Sequence, residues 1–195
     1  NGISGARVDL LRGNGSNTGV RANTNGSGEV EFDALPGSQH KLKVYHGGGS
    51  YVTGVATHNQ LVQVQTASSH LALSNSTGGG IEGQRVNLLR SNGSNTGVRV
   101  NSNTSGIAAF EILPDYVHKF KVYHNGGSYI TAPVTYGDDV PVQTQSSVLT
   151  FLDDDQGAHE GNRVNLIRDN GSNTGVRVNT DALGQAAFEI LPAYV

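Results

Sequence analysis

The residues in this 195-residue chain best placed to do chemistry are seven histidines and a run of aspartates. His40/His46 and His118/His124 each bracket one extended segment at a separation of six. An even separation sets both rings on one face of a strand, but roughly 20 Å apart at about 3.3 Å per residue, too far to share an ion. His58, His70 and His159 stand without histidine counterparts. Asp153, Asp154 and Asp155, together with Asp138 and Asp139, offer the clustered carboxylates that Ca²⁺ seeks, and a solvated acidic turn is the alternative reading. No G-x-S-x-G elbow is present to expose a serine nucleophile. The chain has no Cys, which excludes disulfides, thiolate zinc sites and thiol nucleophiles. These patterns point to no catalytic centre and no cofactor.

Two further groups invite a surface role. Asn14, Asn25, Asn75, Asn92, Asn103 and Asn170 each open an N-x-S/T sequon, the acceptor pattern for N-linked glycans. Asn-Gly is also a favoured turn dipeptide, so the same residues serve a structural reading. Tyr45, Tyr51, Tyr123 and Tyr129 lie around Gly-rich turns. They are candidates for contact with sugar rings or with a neighbouring repeat.

Composition bounds the class. Gly supplies 27 residues, only 15% are charged, and the formal charge is −3. That balance supplies no net positive charge for nucleic acid, and no apolar run approaches the ~18 to 20 residues of a membrane span. Apolar residues recur at regular intervals, which favours a folded, Gly-rich β protein over disorder.

The intervals belong to a repeat. Gly5 to Arg21 returns at Gly83 and again at Gly161, a step of 78 residues both times. Between 5–40 and 83–118, 22 of 36 positions are identical, as expected of a tandem array. The predicted units are 1–66, without its first strand; 67–144, complete; and 145–195, stopping after its third strand. Two and a half units and no Met are expected of a stretch of a longer array.

In the middle copy the segments 71–74, 85–90, 97–101, 107–113, 118–123, 128–132 and 140–144 read as strands with turn signals between them. The alternation of Phe120 and Val122 with Lys119 and Lys121 marks one buried and one solvated face. The expected fold is therefore all-β: a tandem array of seven-stranded antiparallel β-sandwiches forming a rod. Its predicted core is Val86, Leu88, Val98, Val100, Phe110, Leu113, Phe120 and Val122. Asn92-Gly93 is expected to sit in the left-handed conformations of a tight hairpin. No Pro-rich or Gly-rich linker separates 62–66 from 71–73, which predicts units stacked with little hinging.

The runs Gly83-x-Arg-Val-Asn-Leu, Val100-Asn-Ser-Asn-Thr-Ser-Gly106, Phe110-Glu-Ile-Leu-Pro114 and His118-Lys-Phe-Lys-Val-Tyr123 carry a resemblance. They resemble the Ig-like, prealbumin-like repeats of bacterial surface proteins, akin to carboxypeptidase-regulatory-like and Cna-B-type modules. The resemblance implies an extracellular stalk, fibre or adhesin shaft without catalysis. Its implied partners are neighbouring repeats, other copies of the chain, and glycans under the adhesin alternative, with no membrane or nucleic acid. An internal isopeptide bond is not expected, because the opening strands carry no Lys and the only lysines are Lys41, Lys43, Lys119 and Lys121.

Overall fold

A computed structural model describes residues 2–193; Tyr194 and Val195, at the end of the third predicted unit, lie outside the described residues. The described residues are all-β. The middle copy contributes β6 (Ala67–Ser74), β7 (Arg85–Arg90), β8 (Asn95–Asn101), β9 (Ile107–Ile112), β10 (His118–His124), β11 (Gly127–Ile130) and β12 (Asp139–Gln143). They form a three-stranded sheet, β12-β6-β9, and a four-stranded sheet, β11-β10-β7-β8.

Alternate residues from both sheets meet in one core: Leu71 and Leu73 from β6, Val86 and Leu88 from β7, Ala108, Phe110 and Ile112 from β9, Phe120 and Val122 from β10, and Val142 from β12. The Phe110 and Phe120 ring centroids lie 5.3 Å apart. Val98 and Val100 are partly buried against this core, and Leu113 is buried outside it. Leu191, 78 residues beyond Leu113, joins the middle core from the third copy. One pair departs from the antiparallel rule: β12 runs parallel to β6, with Asp139 opposite His70 and Gln143 opposite Ser74. A two-residue period encodes which face a residue takes but not the direction of the neighbouring strand.

The first copy supplies β1 (Arg7–Arg12), β2 (Asn17–Asn23), β3 (Gln39–His46), β4 (Gly49–Val52) and β5 (Ala56–Thr57), all in one sheet. Residues 29–34 and 61–65 correspond to β9 and β12 and are irregular. In the middle copy both of those strands pair with β6, and no described segment holds that position here. Leu35, whose counterpart Leu113 is buried, is accordingly exposed.

The third copy differs from expectation in its strand count. It holds four strands rather than three: β13 (Gln145–Thr150), β14 (Arg163–Ile167), β15 (Asn173–Asn179) and β16 (Gln185–Ile190). β13 pairs with β16 and β14 with β15.

The hairpin turns also differ. At Asn92-Gly93 only the glycine has positive φ, +86°. Gly93 N–H donates to the Arg90 carbonyl, and Arg90 N–H donates to the Ser94 carbonyl. This is a three-residue loop ending on a left-handed glycine, not a two-residue turn. The Asn92 side chain instead accepts the Ser94 N–H at 3.0 Å.

Phe110 is 3% exposed at the centre of the two-sheet core. Phe110→Ala is expected to cost about 3 to 5 kcal/mol in denaturant titration, through lost burial and the cavity left behind. A variant as stable as the parent would contradict this core.

Candidate functional site

The side chains that recur in the same arrangement lie where one copy meets the next. At the first joint, the Glu111 carboxylate accepts from the Thr66 hydroxyl at 2.7 Å and the Ser68 hydroxyl at 2.5 Å. Tyr116 OH donates to the Gly48 carbonyl at 3.4 Å. A Cβ added at Gly48 would lie 2.3 Å from Thr96 Cβ, and one at Gly49 would lie 2.7 Å from the Tyr116 ring. The turn after β3 therefore needs glycine to approach the second copy so closely.

The second joint shares the glutamate, the glycine turn and both threonines, with Ser76, Asn125 and Arg168 added. Glu189 accepts from Ser76 N–H at 2.9 Å, from the Ser76 hydroxyl at 2.5 Å and from the Thr144 hydroxyl. Asn125 Nδ2 donates to the Glu189 carbonyl at 2.8 Å, and Arg168 Nη2 donates to the Gly126 carbonyl at 2.7 Å. A Cβ at Gly126 would lie 2.6 Å from Thr174 Cβ. Glu111 and Glu189, Thr66 and Thr144, Thr96 and Thr174, and Gly48 and Gly126 are each 78 apart.

Titration at the joints follows from these partners. The hydroxyls of Ser68 and Thr66 hold the Glu111 carboxyl below its usual range. Burial pushes Glu189 up, but the donors from Ser76 and Thr144 together outweigh it and the carboxyl sits low. Burial lowers His124, whose Nε2 has no partner, although the charge of Glu189 opposes the shift. Burial likewise lowers His118, which is fully buried between Tyr116 and Phe120.

The sequence candidates take other positions. Tyr45 and Tyr51 point to opposite faces of their sheet, as do Tyr123 and Tyr129, because Tyr51 and Tyr129 lie opposite the inward Val44 and Val122. Neither pair forms an aromatic platform. Tyr129 packs against the core. Tyr123 lies under the Arg85 guanidinium at 3.9 Å, and Tyr45 lies under Arg7 at 4.7 Å. Tyr45 OH donates to Asp9 at 3.1 Å.

The acids are engaged locally. Asp153 Oδ1 accepts the Gly157 N–H within a tight turn, Asp138 accepts from Thr135, and Asp139 meets His70 Nδ1 at 2.6 Å. Asp154 and Asp155 are exposed. Among the described residues no three His, Asp or Glu side chains gather as a metal site. Five of the sequon asparagines are exposed and Asn75 is half-buried. Each accepts the N–H two residues on through Oδ1: Asn14 from Ser16, Asn25 from Ser27, Asn75 from Thr77, Asn92 from Ser94, Asn103 from Ser105 and Asn170 from Ser172.

The joint residues Glu111, Glu189, Tyr116, Asn125 and Leu191 escape a reading by strand pattern. The one signal for the glutamates is a carboxylate directly after the inward Phe110 and Phe188, at a step of 78.

No protein-family model matches the chain, and no curated protein is similar to it in sequence. Among solved structures it is similar to the Bacillus anthracis TIE protein, at 16% identity and a TM-score of 0.32 over 97% of this chain. The chain spans 41% of that protein's length. It is also similar to the minor pilin of Streptococcus agalactiae, at 12% identity and a TM-score of 0.32, over 73% of this chain and 82% of that one. A streptococcal ancillary pilin gives 10% identity and a TM-score of 0.31, over 97% and 80%. Likeness at this level carries no functional inference.

The shifts set a pH dependence. His118 and His124 bind protons more weakly folded than unfolded, so stability should fall as pH drops below about 6.5, where the unfolded histidines charge first. The depressed glutamates add stability that is complete above their unfolded pKa and is lost as pH falls through their folded values. Melting followed from pH 7 to pH 3 should decline in both windows, and His118→Phe should flatten the upper one. A flat upper window in the parent would contradict the buried neutral histidines.

Proposed function

We propose that this chain forms a non-catalytic, extracellular structural shaft, a surface stalk or filament built from tandem β units at 1–66, 67–144 and 145–195, the middle one a two-sheet sandwich. The observation that carries the reading is the joint used twice. A carboxylate, a threonine hydroxyl, a glycine turn and a second threonine meet in equivalent positions at both boundaries. Repetition of one interface along one chain propagates one relative orientation, which is what a shaft requires. The direct passage from β12 to β13, through Thr144 alone, leaves little chain to act as a hinge.

Each joint also resists bending for a local reason. Glu111 and Glu189 accept several donors at once, and such charge-assisted bonds are shorter and stronger than neutral ones. Losing the carboxylate leaves the Thr66 and Ser68 hydroxyls to water and the buried Thr144 hydroxyl without this acceptor, so the joint loosens while each core persists. The mechanism is mechanical: cores give each unit its shape, and joints give the array its direction.

Small-angle X-ray scattering from the 195-residue chain should give the pair-distance profile of a rod. Glu111→Ala with Glu189→Ala should make the profile more flexible without unfolding the core, as read by circular dichroism. A compact, globular profile for the parent chain would overturn the shaft.

A further inference from the structure

The outer face of the β8-β7-β10-β11 sheet is cationic. Arg85, Arg99, Lys119 and Lys121 alternate with the inward apolar residues of their strands, and none of the four strands contains an Asp or Glu. Among the described residues no ion pair joins these four cations to a carboxylate. Strand register sets Arg99, Asn87 and Lys121 side by side across three strands. Asn87, at the centre, is only 8% exposed, and its Oδ1 has no hydrogen-bond partner. A buried amide oxygen left unpaired is costly, so such an atom in the middle of a cationic row points to a donor that is not part of the chain.

The first copy shows the same row with the need met internally. There the register aligns Arg21, Asp9 and Lys43. The Asp9 carboxylate, 3% exposed, accepts two bonds from Arg7 at 2.8 Å and one from Tyr45 OH at 3.1 Å. Shallow grooves of about 240 and 390 Å³ flank Asp9 on the Arg21 and Lys43 sides. One carboxylate thus serves as the resident anion of this face. Asn87 replaces it in the middle copy, which keeps the cations and removes their counter-charge.

We propose that the face around Asn87 binds an acidic polysaccharide. A uronic-acid carboxylate accepts from Arg85, as Asp9 accepts from Arg7 in the first copy, and lies between Arg99 and Lys121 in the row. A ring hydroxyl near that carboxylate donates to Asn87 Oδ1, which has almost no free surface until the neighbouring Arg99 and Lys121 side chains turn onto the ligand. A uronate unit carries both groups within one sugar ring. A DNA phosphodiester offers no hydroxyl beside its charge, and Tyr123 is already covered by Arg85 at 3.9 Å and approached by Lys121 at 5.0 Å, so it presents no free ring for base stacking. This site is independent of the shaft: units could bind the polymer whether or not they form a stiff rod.

Titration calorimetry of the 195-residue protein with tetragalacturonate at low salt tests the site. One site is expected, weakened about tenfold or more by Asn87→Asp, which installs the internal anion. Asp9→Asn should open the equivalent site in the first copy and raise the stoichiometry to two. A neutral galactose tetramer should not bind. Binding unchanged by Asn87→Asp, equal binding of the neutral tetramer, tighter binding of a single-stranded oligonucleotide, or no binding of tetragalacturonate would each overturn the proposal. If Asn87→Asp lowers the melting temperature, Arg99→Gln, exposed on the edge strand β8, gives the same reading with the core intact.

Discussion

The arrangement depends on one pairing: β12 lies parallel to β6. A sandwich made only of antiparallel neighbours can return its chain to the end where it entered. With the last strand parallel to the first, entry at Ala67 and exit at Gln143 fall at opposite ends of the same sheet. The chain leaves β12 and enters β13 with only Thr144 between them. Direction is therefore carried from one unit to the next by the hydrogen-bond ladder itself. The central place of β6 also explains why the corresponding segments of the first copy, 29–34 and 61–65, lack strand structure. Both require the central β6 position, and without it neither has a ladder to join.

The joints make that direction specific. Close approach at Gly48 and Gly126 leaves no room for a side chain, so shape admits one docking. Glu111 and Glu189 then accept across the boundary from Thr66, and from Ser76 and Thr144, of the preceding unit. The contact is made by hydrogen bonds and packing rather than by opposed charges, which suits a chain with only 15% charged residues. Leu191 seals the second boundary by entering the middle core.

Much of this was legible in the sequence, for physical reasons. Alternation at Phe120 and Val122 against Lys119 and Lys121 identifies faces, and the structure buries the first pair and turns the second outward. The 78-residue step locates β1, β7 and β14 at Arg7, Arg85 and Arg163. Strand direction was not legible, because period two is blind to it. Nor was the loop type at Asn92-Gly93, where three residues form the loop and glycine alone takes the left-handed conformation. The joints were hidden because their residues are far apart in sequence and polar. The basic face was hidden differently: a net charge of −3 averages over acids in loops and cations gathered on one sheet. Comparing Asp9 with Asn87 brings it out.

Spin-label distances test the central claim most directly. The chain has no native Cys, so labels can be placed in pairs at the equivalent turn positions Ser16, Ser94 and Ser172. The glutamate–threonine and glycine contacts shared by both joints predict nearly equal 16–94 and 94–172 separations, with a narrow 16–172 distribution close to their sum. A 16–172 separation well short of that sum, or a broad distribution, would contradict it.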